Sequence, residues 1–333
     1  MSFFAILCAL LIEQARPLPS PNAVYNSVLV WTRWASRNFD AGKPHHGWIV
    51  WAIAVLAPTI LVLGVHWLLA ITLGLPFAVL WSIAVLYVTL GFRQFSHHFT
   101  GIRDALEDGD EPLARSLLAH WRQISVANLP RSEIVRHVIE HSVVAAHRHV
   151  FGVLAWFSIL AALGLGPTGA VFYRMSEFVS RYWTHKEGAA LQPSSGGVLN
   201  FAEKAWIATD WLPARITALG FAVVGSFEDA IDCWRNDARR FPNSNDGVIL
   251  AATSGAVNVR LGGGVLMPGP IAAPLPHAQA GEATSNLAIA RGGSTPGREP
   301  DLTHLRSVVG LVWRSVVMWM VLLALLTLAR LLG

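Results

Sequence analysis

Long apolar segments separated by polar ones run along the whole chain. Residues 47–70 and 75–92 contain no Lys, Arg, Asp or Glu, so the pattern predicts a hairpin of two membrane-spanning helices. Residues 150–173 and 308–332 predict two further spans. Because a proline removes a backbone hydrogen bond, Pro167 and the glycines beside it are expected to kink or end the third of these helices.

Two other apolar stretches leave the number of spans open. Residues 3–12 are too few to cross about 30 Å of hydrocarbon at about 1.5 Å per residue, and they predict either a short in-plane helix or a span lengthened by packing. Residues 212–227 are only weakly apolar and contain Arg215. The expected fold is therefore an all-α integral membrane protein with four to six membrane-associated helices.

Residues 93–149 differ from these segments, because charged and apolar residues alternate there at helical spacing. This pattern predicts an extramembrane helical hairpin, partly solvated, that packs beside the membrane. The abundance of Gly, Pro, Ala and Ser in residues 262–300 predicts a flexible linker. The predicted order is an N-terminal helix and membrane hairpin (1–92), the extramembrane hairpin (93–149), a membrane helix with a polar motif region (150–261), the linker (262–300) and a C-terminal membrane helix (301–333).

The composition supports a membrane environment. Hydrophobic residues make up 53% of the chain and charged residues only 14%, well below their share in soluble domains, so the lipid bilayer is the expected solvent. The formal charge of +4 comes from scattered Lys and Arg, which argues against nucleic-acid binding. Cys8 and Cys233, the only cysteines, cannot build a disulfide framework or a thiolate metal site.

Polar residues are concentrated between positions 212 and 263. Six of them are candidate substrate- or phosphate-binding residues: Arg215, Asn243, Asn258, Arg260, Gly262 and Gly263. An arginine can hold a phosphate or carboxylate with two parallel hydrogen bonds, and an asparagine can orient a carbonyl or amide. A glycine lets backbone N–H groups approach an anion closely. The arginine at 215 can equally extend to the membrane interface and bind no ligand.

The segment His137-Val-Ile-Glu-His141 matches the H-x-x-E-H pattern of some zinc hydrolases. On a helix, His137 and His141 share a face and could bind zinc, with Glu140 as a general base. No third ligand stands out elsewhere in the sequence, and four histidines between residues 137 and 149 favour a chance match. The alternative, a partly solvated amphipathic helix beside the membrane, is the preferred interpretation, and no metal site is predicted.

Five motifs, which occur in the same order as in the family, resemble those of the CobD/CbiB family of adenosylcobinamide-phosphate synthases. Residues 211–219, Trp-Leu-Pro-Ala-Arg-Ile-Thr-Ala-Leu, are similar to the family's P-A-R-L-T-A-L element. Residues 237–263 resemble its D-x-R-x-H-x-S-P-N and A-G-A-L-G-V-R-L-G-G elements, and residues 166–174 its G-x-x-G-A-x-x-Y-R element. Residues 21–24 are similar to an early proline-containing motif.

The resemblance implies an enzyme of cobalamin biosynthesis in the bacterial inner membrane. Such an enzyme joins an amino alcohol or its phosphate to the carboxylate of adenosylcobyric acid, a corrinoid, and the resemblance further implies ATP and magnesium. Two acidic elements of the family are replaced here, by residues 144–149, which contain no acid, and by residues 175–180. Because magnesium prefers carboxylate oxygens, this replacement removes the expected metal ligands.

Residues 147–157, His-Arg-His-Val-Phe-Gly-Val-Leu-Ala-Trp-Phe, instead resemble the AmpE branch of the same superfamily. The pattern there is H-x-x-x-F-G-V-x-x-W-F followed by G-P-x-G-A-x-x-Y-R. This resemblance implies an alternative function, that of a non-catalytic inner-membrane protein in cell-envelope stress or β-lactamase-induction signalling.

Overall fold

Helices dominate the part of the chain that the structure describes. The structure, a computed structural model, describes residues 2–16, 18, 22–40, 42, 46–122, 129–188, 195–263 and 293–332. Within these residues the chain forms thirteen α-helices and no β-strand, which confirms the all-α prediction. The helices are α1 (Ser2–Ala15), α2 (Ala23–Phe39), α3 (Gly47–Thr72), α4 (Leu75–Thr89), α5 (Phe92–Glu107), α6 (Glu111–Arg122), α7 (Arg131–Ala146), α8 (Gly152–Ala162), α9 (Thr168–Gly188), α10 (Gly196–Val224), α11 (Phe227–Asp237), α12 (Ser244–Val257) and α13 (Leu302–Leu332).

The chain divides into two compact units, which are described separately. Unit 1 consists of Met1–Gly91, Arg148–Pro213 and Met320–Gly333. Unit 2 consists of Phe92–His147 and Ala214–Trp319.

The core of unit 1 is built around α3 and α9. Trp183 of α9 is fully buried in a cluster that includes Val50 and Ala54 of α3. Helices α8 and α9 approach closely at Gly152, where a Cβ atom would lie 2.1 Å from the Tyr173 ring. Such a separation is possible only without a side chain, so the small residue fixes the packing of these two helices.

Unit 2 combines the helices α5, α6 and α7 with the pair α11 and α12. Apolar side chains of the first three helices are fully buried, among them Ile102, Leu118 and Ile139. Helices α11 and α12 come close enough that a Cβ on Gly255 would lie 2.2 Å from the Asp229 carbonyl oxygen. Helix α12 also packs against α7, which places the polar segment after α12 near the charged residues of α7.

Four helical segments of the described residues are long and apolar enough to cross a membrane. They are Gly47–Thr72, Arg131–Ala162, Gly196–Val224 and Leu302–Ala329. Large apolar side chains such as Ile60, Leu61 and Ile71 of α3 are exposed on the protein surface, as expected for residues that face lipid. The chain is therefore a multi-pass membrane protein, as predicted from its composition.

Two predicted spans require correction. Helix α4 ends at Thr89, because Leu90 adopts an extended conformation, and its 15 residues cover only about 22 Å. Residues 150–173 form two helices, because Gly164 and Gly166 adopt positive φ angles of 80° and 59° in the turn before α9. The expected helix end near Pro167 is thus present, and the span in this region is Arg131–Ala162 instead.

Helix α7 also differs from the predicted, partly solvated hairpin. Helices α5 and α6 pair as expected, but nearly every residue of α7 is buried. His137 and Glu140 are each only 1% exposed. A π-helical turn, His147–Phe151, joins α7 to the apolar α8, so this charged helix forms the first half of a candidate span.

The predicted linker lies partly outside the described residues, which leave out 264–292. Its two ends are packed. Thr295 is buried, and its backbone N–H donates to the Leu261 carbonyl at 2.8 Å. The stretch 212–227, which the sequence left uncertain, lies within the long helix α10 up to its end at Val224.

Candidate functional site

Directly after α12, two short segments linked by an isolated β-bridge form what is here called the arch, which consists of residues 258–263 and 293–298. Asn258 ends α12 in the left-handed conformation, with a φ of 52°. Val259 and Arg298 form a parallel bridge, in which Arg260 N–H donates to the Arg298 carbonyl at 2.8 Å. Leu261 N–H donates to Thr295 Oγ1 at 2.8 Å. These bonds fix the Arg-Leu-Gly-Gly motif on one side.

Helix α7 holds the other side of the arch. Gly262 N–H donates to Glu140 Oε1 at 2.7 Å, and the Arg136 guanidinium donates to the Gly262 carbonyl at 2.8 Å. Arg136 and Glu140 lie one helical turn apart, with 3.4 Å between the guanidinium and the carboxylate. One buried ion pair therefore engages both backbone groups of a single glycine.

The remaining charges of α7 surround this pair. The Arg136 guanidinium also bonds Glu133 and lies 3.3 Å from His137 Nε2. His137 Nδ1 lies 3.6 Å from Glu140 Oε2. His141 packs edge-on against the Trp121 ring, with 4.4 Å between the centroids.

This geometry uses the H-x-x-E-H residues for a different purpose from zinc binding. The Glu140 carboxylate is directed toward Arg136 and Gly262, and the burial of α7 contradicts the solvated amphipathic helix preferred at the sequence level. In the part of the chain that the structure describes, no group of three or more His, Cys, Asp and Glu residues is arranged to hold a metal ion.

Two of the six predicted binding residues lie at the beginning of α12. Asn243 caps this helix, and its side chain accepts a bond from Asn245 N–H at 3.1 Å. The Arg215 guanidinium of α10 donates to the Asn245 side chain at 3.3 Å. Close by in sequence, Thr217 Oγ1 lies 2.9 Å from His147 Nδ1. A cation beside a helix N-terminus favours bound anions, because both contribute positive potential.

The other four predicted residues, Asn258, Arg260, Gly262 and Gly263, belong to the arch at the opposite end of α12. Fourteen residues of helix separate the two groups by about 20 Å. A single phosphate cannot contact both groups at that distance. The Gly262 N–H already bonds the carboxylate of Glu140, whereas Arg260 and Gly263 are exposed.

Unit 1 contains a second set of buried polar residues, most of which sequence reasoning missed. The Tyr173 hydroxyl donates to Asp210 at 2.8 Å, and both residues are buried. Glu177 is buried between Arg174 at 3.2 Å and Arg181 at 3.4 Å. Burial opposes ionisation of Glu177, but Arg181 and Arg174 outweigh it, so its pKa lies below the ordinary value.

A sequence signal for one of these residues existed. Asp210 is the only acid in the mostly apolar segment 205–224, and an ionisable residue in such a segment marks a functional or structural polar site. No comparable signal distinguished Arg136 or Glu177, because each lies among other charged residues.

The fold and these buried charges define the class of protein: a multi-pass, all-α membrane protein that keeps arginine and carboxylate side chains inside. The particular family follows from sequence comparison. A family model described as CobD/Cbib protein matches residues 2–288, so the chain belongs to the CobD/Cbib protein family.

Curated relatives agree with this assignment. A cobalamin biosynthesis protein CobD of Stutzerimonas stutzeri is 28% identical over 288 residues, which cover 85% of this chain and 82% of the relative. The protein of the same name from Chromobacterium violaceum is 31% identical over 182 residues, 55% of either chain. That of Mycobacterium tuberculosis is 29% identical over 232 residues, 67% of either chain. No solved structure matches, and nothing found supports the AmpE-like alternative.

Proposed function

We propose that this chain is a cobalamin-biosynthesis protein of the bacterial inner membrane that forms an amide bond on a corrinoid. It joins adenosylcobyric acid to an amino alcohol or its phosphate. The observation that carries the proposal is the family match over residues 2–288, which includes α7, α12 and the first half of the arch. The similarity to curated CobD proteins over 85% of this chain adds to it.

The distribution of charge in unit 2 is compatible with a large anionic substrate. The guanidinium of Arg215, a residue of α10, reaches the beginning of α12, and Arg260 lies in the arch beyond the end of α12, about 20 Å away. A substrate that contacts both groups must be large, as a corrinoid nucleotide precursor is. In the proposed arrangement, each arginine holds one anionic group by paired hydrogen bonds.

The proposed reaction needs an activated carboxylate, because a carboxylate and an amine do not condense spontaneously in water. ATP is the co-substrate that the family resemblance implies. A carboxylate oxygen would attack the terminal phosphorus of ATP and release ADP, which would give an acyl phosphate. The amine nitrogen would then attack the acyl carbon, lose a proton and form the C–N bond, as inorganic phosphate leaves with the former carboxylate oxygen.

The direct test uses the full-length protein purified in lipid nanodiscs. Adenosylcobyric acid, ATP, a magnesium salt and either aminopropanol or aminopropanol phosphate are supplied, and the corrinoid product is measured by mass spectrometry. The expected product has the mass of the acid plus the amine minus water. A folded wild-type protein that forms no such product with either amine contradicts the proposal.

A matched pair of arginine variants sharpens the test. Arg260→Ala is expected to weaken substrate binding roughly 10- to 100-fold, since it removes a charged, bidentate contact. Arg235→Ala, at an exposed arginine of α11 outside the arch and the family motifs, is the control and should leave activity unchanged. Equal effects of the two changes would exclude a specific role for Arg260.

A further inference from the structure

We infer that Arg136 and Glu140 are positioning residues that fix the arch so that Arg260 and Gly263 face the substrate. This inference rests on the proposed function. Neither residue was among the expected binding residues. Their role follows from their contacts with a single glycine of the Arg-Leu-Gly-Gly motif.

Both backbone groups of Gly262 are bound by side chains of α7. Gly262 has no side chain, so its orientation can be set only through its backbone N–H and carbonyl. Glu140 binds the N–H at 2.7 Å and Arg136 binds the carbonyl at 2.8 Å. Hydrogen bonds to ionised groups are stronger than neutral ones, so the two peptide units that flank the Gly262 Cα are each held firmly.

The Arg-Leu-Gly-Gly motif has a buried inner side and an exposed outer side. Leu261 and Gly262 are buried, whereas Arg260 and Gly263 are exposed. Arg136 and Glu140 are themselves buried and contact the motif at Gly262, on its inner side. They therefore act through the backbone of the arch and do not touch a ligand on its outer side.

The backbone of Gly262 and Gly263 has a conformation that needs to be held in place. Gly262 and Gly263 adopt successive positive φ angles of 76° and 81°. A flexible glycine pair occupies many other conformations, so a defined presentation of Arg260 needs an external constraint. The bonds to Thr295 and Arg298 constrain one side, and the α7 ion pair constrains the other.

An ion pair elsewhere in unit 2 provides a matched control. Glu111 and Arg115 of α6 are also four residues apart, with 2.8 Å between the charged groups, but this pair is partly exposed. Glu111→Ala removes such a pair without affecting the arch. Glu140→Gln keeps an oxygen acceptor for the Gly262 N–H and removes the charge, and Glu140→Ala removes both.

Amide hydrogen exchange of the segment 258–263 tests the constraint independently of activity. In Glu140→Ala, exchange at Gly262 should be about 10- to 100-fold faster than in the wild type, with an intermediate rate in Glu140→Gln. Glu111→Ala should exchange at the wild-type rate. Unchanged exchange in a folded Glu140→Ala protein, or a change confined to global unfolding, overturns the inference.

Steady-state kinetics test the consequence for the reaction. The KM for the corrinoid should rise roughly 10- to 100-fold in Glu140→Ala, with partial recovery in Glu140→Gln, because a displaced arch misplaces Arg260. Faster exchange with unchanged kinetics overturns the positioning role. A wild-type protein that shows the expected protection at Gly262 but makes no amide product overturns the proposed function instead.

Discussion

Helix α3 and the α7–α8 segment are both apolar enough to cross a membrane, but they have opposite surroundings. In the most apolar stretch of α3 only 22% of the residues are buried, against 78% in the most apolar stretch of the segment Arg131–Ala162. Ile60 of α3 is 63% exposed, whereas Ile139 of α7 is completely buried. Helix α3 therefore presents apolar residues to lipid, and α7 is surrounded by protein.

The difference explains where the charges of this protein are found. In lipid, an unpaired charge is very costly, so ionisable residues gather on helices that other helices cover. Helix α7 carries Arg136, His137 and Glu140 within such a cover, while α3 has no Lys, Arg, Asp or Glu at all. The buried helix is thus the one that can supply charged groups to the arch.

Among the changes that test this contrast, removing one member of the buried ion pair should lower the stability of the protein most. Glu140→Leu leaves Arg136 buried with only the partly exposed Glu133 as an acidic partner, and should lower the free energy of unfolding by about 3–5 kcal/mol. Denaturant unfolding in mild detergent measures the change. Glu111→Leu at the partly exposed pair of α6 should cost less than about 1 kcal/mol, and equal losses would show that α7 is not interior.

Substitutions of Ile139 in α7 and Ile60 in α3 compare the surroundings of the two helices without changing any charge. Ile139→Ala should cost about 2–5 kcal/mol, because a fully buried side chain leaves a cavity. Ile60→Ala should change stability by less than about 1 kcal/mol, since lipid fills the space around an exposed side chain. Denaturant unfolding in mild detergent measures the stability of both variants. A larger loss of stability in Ile60→Ala than in Ile139→Ala would contradict the assignment of α3 as lipid-facing and α7 as interior.

Substitutions of two glycines should have the smallest effects on stability, and these two effects should have opposite signs. A Cβ on Gly152 of α8 would lie 2.1 Å from the Tyr173 ring, so Gly152→Ala should destabilise the protein by about 1–3 kcal/mol. Gly64 of α3 has nothing within 4 Å of such a Cβ, and Gly64→Ala should stabilise by about 0.5–1 kcal/mol. Thermal unfolding of the pair should show shifts in opposite directions, and similar shifts would refute the packing described for α8 and α9.

Much of the fold could be predicted from hydropathy. The apolar runs of α3 and α13 have no competing interpretation, and both are candidate spans. The hydropathy pattern gave a wrong prediction for α7, because a sequence with charged residues at helical spacing is the same whether the helix is surrounded by water or by protein. Only tertiary packing distinguishes the two cases, so the buried Arg136 and Glu140 were assigned to a solvated helix.

The candidate site was predictable only in part. The sequence identified Arg260, Gly262 and Gly263 as a group, and the structure places them together in the arch. It gave no sign that Glu140, more than 120 residues earlier in the chain, bonds Gly262. It named both Asn243 and Arg260 as binding residues but gave no sign of their separation, which the length of α12 sets at about 20 Å.

The central claim is that the charges of α7 are paired inside the protein, and a double-mutant cycle tests it most directly. Arg136→Met, Glu140→Leu and the double variant are compared with the wild type by unfolding in mild detergent. The buried pair predicts a coupling energy of about 2–3 kcal/mol, with the double variant far more stable than the sum of the single changes implies. Losses that add to within about 0.5 kcal/mol would contradict the claim, because independent, water-exposed charges behave in that way.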